Sequence, residues 1–276
     1  MTDMPKTLFK YQTTDDENFL NNLKESQIYF KCPSEFNDPY DCAIWDESID
    51  RSLDASNKFR IKIQKLIAKE CDILEEDVSE NEIEKYYPEF LDNLLKKIQD
   101  EHKVGCSCFS EKNDHILMWA HYSGGHTGFC LEFDTSSPPF VDRNKEPKVY
   151  RVNYEESFPK IKVDDLLCSS PEKKDEAYLK LLTTKYLDWK YEKEWRVFLG
   201  DVNKPHKYPV KALKAVYFGT KITEDNLKKI CLILRRNNRN ILFFKMKKIE
   251  GKFKLEPTKI SSSNLEKMLN TNHSSL

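Results

Sequence analysis

Residues 7–31, TLFKYQTTDDENFLNNLKESQIYFK, open the chain with the pattern that decides its fold class. Apolar and aromatic residues predict a first strand over Thr7–Tyr11, and Asp15–Ser26 predicts a helix with acidic residues in its first turn. Gln27–Lys31 predicts a second strand, which the Cys32-Pro33 dipeptide ends. A strand, a helix and a strand in this order favour a protein of the α+β class.

Beyond this opening, the pattern changes twice. Long helical periodicity with many charged residues predicts a helical insertion at about residues 46–102. The apolar residues expected to share a helical face are Phe59, Ile63 and Ile67 in one helix and Phe90, Leu91, Leu94, Leu95 and Ile98 in another. The later strands are predicted at Val104–Phe109, Gly128–Phe133, Lys148–Tyr154, Lys193–Leu199, Leu213–Phe218 and Ile241–Met246, and the later helices at His115–Tyr122, Glu172–Leu187 and Ile222–Arg236. We therefore expect a mixed or antiparallel sheet core with flanking helices in a single α+β domain over residues 1–260, followed by a partly disordered C-terminal tail at 261–276.

Composition favours a soluble globular protein. The chain has 276 residues, of which 39% are hydrophobic and 12% aromatic, so it can bury a sizeable core. No run reaches the roughly 18 apolar residues of a membrane span, and the N-terminus lacks signal-peptide features, which predicts a cytoplasmic location. The eight cysteines form no CxxC pair, and the histidines do not match HExxH. We therefore expect reduced cysteines in the core and no metal site.

Charge divides unevenly along the chain although the formal net charge is −1. Residues 204–254 carry 15 Lys or Arg against 3 Asp or Glu, whereas residues 1–203 carry 28 against 41. This basic segment could bind a nucleic acid or an acidic protein, or it could be a solvated face that the acidic part of the chain balances. No known nucleic-acid motif accompanies the charge.

The segment Tyr191–Arg196 carries the sharpest chemical signal. Alternation along a strand would place Glu192, Glu194 and Arg196 on one face. Arg196 could then hold one carboxylate in a bidentate pair and leave the other to accept a hydrogen bond or to stabilise a developing cation. An ion-paired strand edge without catalysis is an equal alternative.

Two further segments place polar and aromatic residues where a ligand could bind. Asn37 and Asp38 follow a strand end, where they either cap the turn or orient a polar ligand. Trp119, Tyr122 and His126 lie on or just after a short helix, and their rings could flank a flat ligand or belong to the core. Leu8–Tyr11 is a fourth segment of this kind, and folding alone would not require such residues in all four segments. We therefore expect the four segments to share one pocket, with Lys10, Asn37, Tyr122 and Glu194 converging on one cleft.

These residues support a family resemblance. The segments Leu8–Tyr11, Ile28–Phe30, Pro33–Asp41, Cys108–Ser110, Met118–Tyr122, His126–Gly128 and Tyr191–Arg196 resemble, in order, the signature of the bacterial family catalogued as domain of unknown function 2971 (DUF2971). This resemblance covers most of residues 7–200. The family has no assigned activity.

A more distant resemblance bears on mechanism. The opening strand with Lys10, the second strand with its polar exit and the later strand with Glu194 are similar to the three-motif layout of the ADP-ribosyltransferases. The resemblance implies that Lys10 anchors NAD, that Tyr29 or Ser34 supports the nicotinamide ribose, and that Glu194 or Glu192 assists transfer. Lys10 departs from the usual His or Arg of that superfamily. The residues expected to bind the cofactor NAD are Tyr11, Tyr29, Ser34, Asn37, Asp38, Trp119, Tyr122, His126 and Arg196.

Three classes of function stay open at this stage. The first is an NAD-using ADP-ribosyltransferase or NAD glycohydrolase of bacterial stress or phage defence, with an unknown acceptor. The second is a ligand-binding or regulatory defence protein without catalysis. The third is a metal-dependent nuclease in which Asp38, Asp41, Glu192 and Glu194 would bind the metal.

Overall fold

The computed structural model of the chain describes residues 4–15, 18–41, 49–50, 57–101, 103–144, 148–166 and 170–270. The chain forms two compact units. The first contains Met1–Lys31, Gly105–Val152 and Asp188–Leu276, and the second contains Cys32–Val104 and Asn153–Leu187.

The strands and helices are labelled in chain order. The strands of the first unit are β1 (Thr7–Gln12), β2 (Gln27–Phe30), β4 (Gly105–Ser110), β5 (Phe129–Asp134), β6 (Val149–Arg151), β10 (Glu194–Leu199), β11 (Lys204–Lys207), β12 (Leu213–Phe218), β13 (Leu242–Lys248) and β14 (Leu255–Lys259). Its helices are α1 (Asn18–Lys24), α4 (Ile116–Tyr122), α7 (Glu224–Asn237) and α8 (Ser262–Asn270). The strands of the second unit are β3 (Ile49–Asp50), β7 (Asn153–Glu155), β8 (Ile161–Lys162) and β9 (Thr184–Tyr186). Its helices are α2 (Asn57–Cys71), α3 (Glu80–Glu101), α5 (Val163–Leu166) and α6 (Pro171–Leu182).

An eight-stranded sheet in the order β14-β13-β12-β5-β1-β4-β10-β6 forms the first unit. Only β12 and β13 pair in parallel, which the crossover through α7 allows, and all the other neighbours are antiparallel. The expected α+β class with a mixed sheet is therefore confirmed. Strand β2 lies outside this sheet and pairs with β11, while Lys31 and Cys106 exchange backbone hydrogen bonds of 2.9 and 2.8 Å.

Each face of the large sheet carries its own apolar core. On one face, called the α7 face, Leu8, Trp195 and Phe218 cluster with the buried side of α7. That side consists of Leu227, Ile230, Cys231 and Leu234, spaced as a helix requires. On the other face, called the α4 face, the strand residues Phe9, Tyr11, Cys130, Tyr217 and Met246 cluster with Met118 and Trp119 of α4.

The second unit has a helical core. Ile63 and Ile67 of α2 and Leu91 and Leu95 of α3 are buried together, as their spacing predicts. Ser79 begins α3 with a capping box, because its Oγ accepts from Glu82 N at 3.3 Å while Glu82 Oε2 accepts from Ser79 N at 2.9 Å. The start of the expected insertion (residues 46–48 and 51–56) and residue 102 lie outside the described residues, as does 271–276.

Val163, Leu166 and Leu181 pack with α2 and α3 in the second unit, and the single domain expected over 1–260 stays a prediction. Two boundaries differ from the sequence-based expectation. The helix expected at Glu172–Leu187 ends at Leu182, where Asn153 N donates to Thr183 O and β9 begins. Within the expected tail, α8 forms because its apolar residues pack against the core of the α7 face.

None of the described helices combines the length and apolar composition that crossing a membrane requires.

Candidate functional site

Strand β10 places a buried ion pair on the α4 face. Arg196 Nε donates to Glu194 Oε1 at 2.8 Å and Arg196 Nη2 donates to Glu194 Oε2 at 3.3 Å, which is the bidentate pairing that alternation predicts. Glu194 is 4% exposed and Arg196 2%. The negative charge of Glu194 is therefore balanced within its own strand.

Glu192 has a different setting from the one expected. It lies at the end of the 3-10 helix Leu187–Glu192 and not on β10, because Lys193 has a φ of 46° and interrupts the extended backbone before Glu194. The side chain is 2% exposed, and its Oε1 accepts a hydrogen bond of 2.5 Å from Tyr122 Oη of α4. Ser110 Oγ donates to Glu192 O at 2.5 Å, which anchors the backbone of this turn to the end of β4.

An aromatic cluster lies around this turn. It consists of His115, His121, Tyr122, Trp189 and Tyr191. The imidazole of His115 stacks on the Tyr191 ring with centroids 5.2 Å apart and planes at 16°. His121 contacts the rings of Trp189 and Tyr191 at 6.3 and 6.4 Å. Partly exposed rings of this kind can stack on a flat ligand.

A third carboxylate lies on the α4 face, and the sequence analysis missed it. Strand pairing aligns Glu132, Phe9, Ser110 and Glu194 in one row across β5, β1, β4 and β10. Glu132 Oε2 accepts a hydrogen bond of 2.5 Å from Tyr217 Oη, and burial together with this carboxylate raises the pKa of Tyr217. The signal was present in the sequence, since Glu132 is an acidic residue between the apolar Leu131 and Phe133 of β5.

Lys10 does not join these carboxylates. Because Phe9 shares a row with Glu194, the next residue, Lys10, projects from the α7 face. Its Nζ donates to Cys108 O at 3.2 Å and lies 5.0 Å from the centre of the Phe109 ring, and burial lowers its pKa. Lys10 and Tyr29 line a cavity of about 30 Å³, room for about one water molecule and not for a nucleotide. The expected convergence of Lys10 and Glu194 on one cleft is therefore wrong.

Tyr11 and Trp119 belong to the core of the α4 face. Trp119 is 0% exposed and its Nε1 donates to Asn113 O at 2.7 Å, while Tyr11 Oη donates to Lys112 O at 2.8 Å. The two rings meet edge to face with centroids 5.2 Å apart. Their expected role as stacking surfaces for nicotinamide is corrected, because their polar atoms bond to the backbone and their rings are enclosed.

His126 follows α4 in a left-handed conformation. Its φ is 74°, after Gly124 and Gly125 with φ of 57° and 63°, which end the helix. The imidazole stacks on Trp119 with centroids 6.4 Å apart, and no described residue bonds to its buried Nδ1. Burial, with Lys221 and Lys248 nearby, lowers the pKa of His126. A neutral imidazole is therefore favoured here.

The polar turn after β2 belongs to the second unit. Asp38 is buried and its Oδ1 accepts from Tyr40 N at 2.9 Å, the local capping bond that competes with a ligand role. Asn37 and Ser34 are exposed, and Ser34 Oγ lies 3.0 Å from Cys32 Sγ. A pocket shared by this turn and the carboxylates of the first unit stays a prediction.

The basic segment 204–254 does not form one stripe. Arg235 and Arg236 lie in the last turn of α7. Lys248 lies instead on the α4 face of the sheet, because it pairs with Leu255. Lys245 projects from the opposite side of β13, its Nζ donates to Gly219 O at 2.7 Å, and burial lowers its pKa. Within the part of the chain that the structure describes, no group of three or more His, Cys, Asp or Glu side chains could hold a metal ion.

Comparison with known families matches residues 118–197 to the model described as Protein of unknown function (DUF2971). This stretch includes Tyr122, His126, Glu192, Glu194 and Arg196, and it ends within β10. It supports the resemblance to this domain family over that stretch. Searches of curated proteins and of solved structures gave no match.

Proposed function

We propose that this protein is an NAD-using enzyme of the ADP-ribosyltransferase-like class and that Glu192 is its catalytic carboxylate. One observation carries the proposal. The Glu192 carboxylate accepts a hydrogen bond of 2.5 Å from Tyr122 Oη in a turn beside the aromatic cluster, so a carboxylate lies together with rings that could stack on nicotinamide. Of the two carboxylates that the sequence leaves open, Glu192 is therefore the one supported for chemistry.

The chemistry fits these residue types. Cleaving the bond between nicotinamide and ribose creates an oxocarbenium-like ribose, which a nearby carboxylate stabilises. The rings of His121, Trp189 and Tyr191 would stack on the departing nicotinamide. Since Glu192 is 2% exposed, a ribose hydroxyl reaches it by taking the place of the Tyr122 hydroxyl. Binding and catalysis are then linked through a movement of Tyr122.

A ligand-binding protein without turnover is the second candidate. It is favoured by the mutual pairing of Glu194 and Arg196, in which each side chain compensates the charge of the other. In this case the aromatic cluster would hold a nucleotide, and the buried carboxylates would only support the turn. The nuclease alternative has no comparable observation, since no group of three or more His, Cys, Asp or Glu side chains among the described residues could hold a metal ion.

The acceptor of the transferase would be a nucleic acid or an acidic protein. We assign the binding of this acceptor to Arg235 and Arg236, two adjacent basic residues in the last turn of α7. Arg236 is exposed and Arg235 is half-buried, so a partner can reach at least part of each side chain. A role in bacterial stress or phage defence stays a prediction.

The test is incubation of the full chain with NAD, with and without magnesium, and detection of free nicotinamide by chromatography. We expect the parent protein to release nicotinamide. Glu192→Gln should reduce the rate of this release at least a hundredfold, and Glu194→Gln should reduce it less. Glu256→Gln is the matched control, because Glu256 is an exposed residue of β14.

Three results separate the candidates. NAD binding by calorimetry without nicotinamide release would favour the ligand-binding protein. Release that survives Glu192→Gln would reject Glu192 as the catalytic carboxylate, and the absence of both binding and release would reject NAD altogether. Thermal melting of each variant shows whether a loss of activity reflects a loss of folding.

A further inference from the structure

The second unit contains a cavity of about 370 Å³, and none of the residues assigned to NAD lines it. Its size falls in the range of about 300–1,000 Å³ that is typical of small-molecule sites. The lining comes from three segments, Tyr40–Asp41, Glu155–Phe158 and Thr184–Tyr186, of which the last two flank or belong to the paired strands β7 and β9. The walls of the cavity are therefore held by a sheet and not only by loops.

A buried ion pair lies in the wall of this cavity. Lys185 Nζ is 3.5 Å from Asp41 Oδ2, and the two side chains are 6% and 3% exposed. Burying a charge is costly unless an opposite charge lies beside it, and Lys185 and Asp41 compensate each other in this way. The pair therefore presents fixed charge to the cavity without adding net charge.

The remaining lining is aromatic and acidic. Tyr40 and Tyr186 are 65% and 51% exposed, and Phe158 lies with them in the wall. Glu155 and Glu156 are exposed at the same cavity, and the described residues show no ion pair to either. With Asp41 and Lys185 balanced, these two carboxylates leave the lining with a negative charge.

We propose that this cavity binds a small organic cation that joins an ammonium group to an apolar, ring-shaped body. Aromatic faces attract such a cation through their quadrupole, and the carboxylates of Glu155 and Glu156 add a Coulomb attraction. The same carboxylates would repel an anion. The apolar body of the ligand is removed from water against Phe158 and the tyrosine rings. None of its lining residues is assigned to NAD, so binding at this site does not depend on the proposed NAD chemistry.

The probe is tryptamine, and indole-3-acetate provides the same ring with the opposite charge. Isothermal titration calorimetry with the full chain at low salt should show saturable binding of one tryptamine and at least tenfold weaker binding of indole-3-acetate. The double variant Glu155→Gln/Glu156→Gln should weaken tryptamine binding at least tenfold while melting like the parent, since both side chains are exposed. Tyr186→Leu should weaken it about threefold to tenfold.

Glu176→Gln is the matched control, because Glu176 is an exposed carboxylate of α6 in the same unit and does not line the cavity. Its affinity for tryptamine should equal that of the parent. Three results would each overturn the proposal: no binding of tryptamine up to millimolar concentration, equal binding of indole-3-acetate, or unchanged affinity in the folded Glu155→Gln/Glu156→Gln variant. The last result would also place any bound tryptamine elsewhere, for example on the aromatic cluster.

Discussion

Arg196→Met should destabilise the first unit more than the loss of any exposed ion pair in it. The guanidinium and the Glu194 carboxylate are 2% and 4% exposed as residues, so this substitution leaves a buried carboxylate without its bidentate partner. Breaking a buried pair in this way costs about 3–5 kcal/mol. At about 2–4 °C per kcal/mol for a chain of this size, the melting temperature should fall by about 6–20 °C.

The double variant Arg196→Met/Glu194→Leu tests the reason for this loss. Replacing both partners by apolar residues removes the uncompensated charge, and such replacements are often close to neutral. We therefore expect the double variant to be more stable than Arg196→Met alone. Each free energy of unfolding comes from urea titration.

Tryptophan fluorescence suits this measurement, because Trp119, Trp189 and Trp195 all belong to the unit that holds the pair. Lys214→Met is the matched control. It breaks the Lys214–Asp134 pair, whose nitrogen and oxygen are 3.1 Å apart but whose side chains are 47% and 28% exposed, and it should cost at most about 1 kcal/mol. An Arg196→Met variant no less stable than the Lys214→Met control, or a double variant as unstable as the sum of its single variants, would refute the reasoning.

Three further predictions concern other residues of the first unit. Tyr122→Phe removes the donor to Glu192 and should lower stability by about 1–3 kcal/mol in urea titration, whereas Tyr86→Phe, at an exposed ring, should change it little. The lowered pKa of His126 means that the unfolded chain binds a proton first as pH falls below the ordinary value of 6.5. Stability should therefore decrease from pH 7 toward the folded-state pKa, and His126→Asn, which tolerates the positive φ, should flatten that slope in melts at pH 5–8. Arg235→Glu/Arg236→Glu should weaken binding of a duplex DNA and reduce its salt dependence while melting normally, and a salt-independent interaction would argue against a nucleic-acid acceptor.

Alternation along a strand was enough to predict part of the site. It correctly placed Glu194 and Arg196 on one face, because β10 is regular from Glu194 onward. Alternation gave the wrong placement for Glu192, because Lys193 has a positive φ and interrupts the strand before Glu194. Lysine usually avoids a positive φ, so nothing in the sequence indicated this conformation. The strongest candidate for chemistry therefore came from a backbone irregularity that a periodicity argument cannot detect.

Strand register was the second limit. Whether Lys10 or Phe9 shares a face with Glu194 depends on which of them aligns with Ser110, and a shift of one residue reverses the answer. The helical core of the second unit, in contrast, followed from the spacing of Ile63, Ile67, Leu91 and Leu95. Local periodicity thus predicted the elements and their buried sides. Their alignment across long sequence distances required the folded chain.

The chain leaves the first unit twice to form the second unit, and each of these two segments is called an excursion here. Backbone hydrogen bonds near the two ends of each excursion affect how the chain tolerates a change in its length. The first excursion leaves after Lys31 and returns at Gly105, where Lys31 and Cys106 bond to each other. The second leaves after Val152, whose N donates to Glu194 O at 2.9 Å soon after the return. Because its two ends are hydrogen-bonded to neighbouring strands, each excursion can be compared with a closed loop. Doubling the length of a flexible loop raises the entropic cost of closing it by only about 0.6 kcal/mol. The large sheet should therefore accept insertions between these hydrogen-bonded ends without losing its strand order.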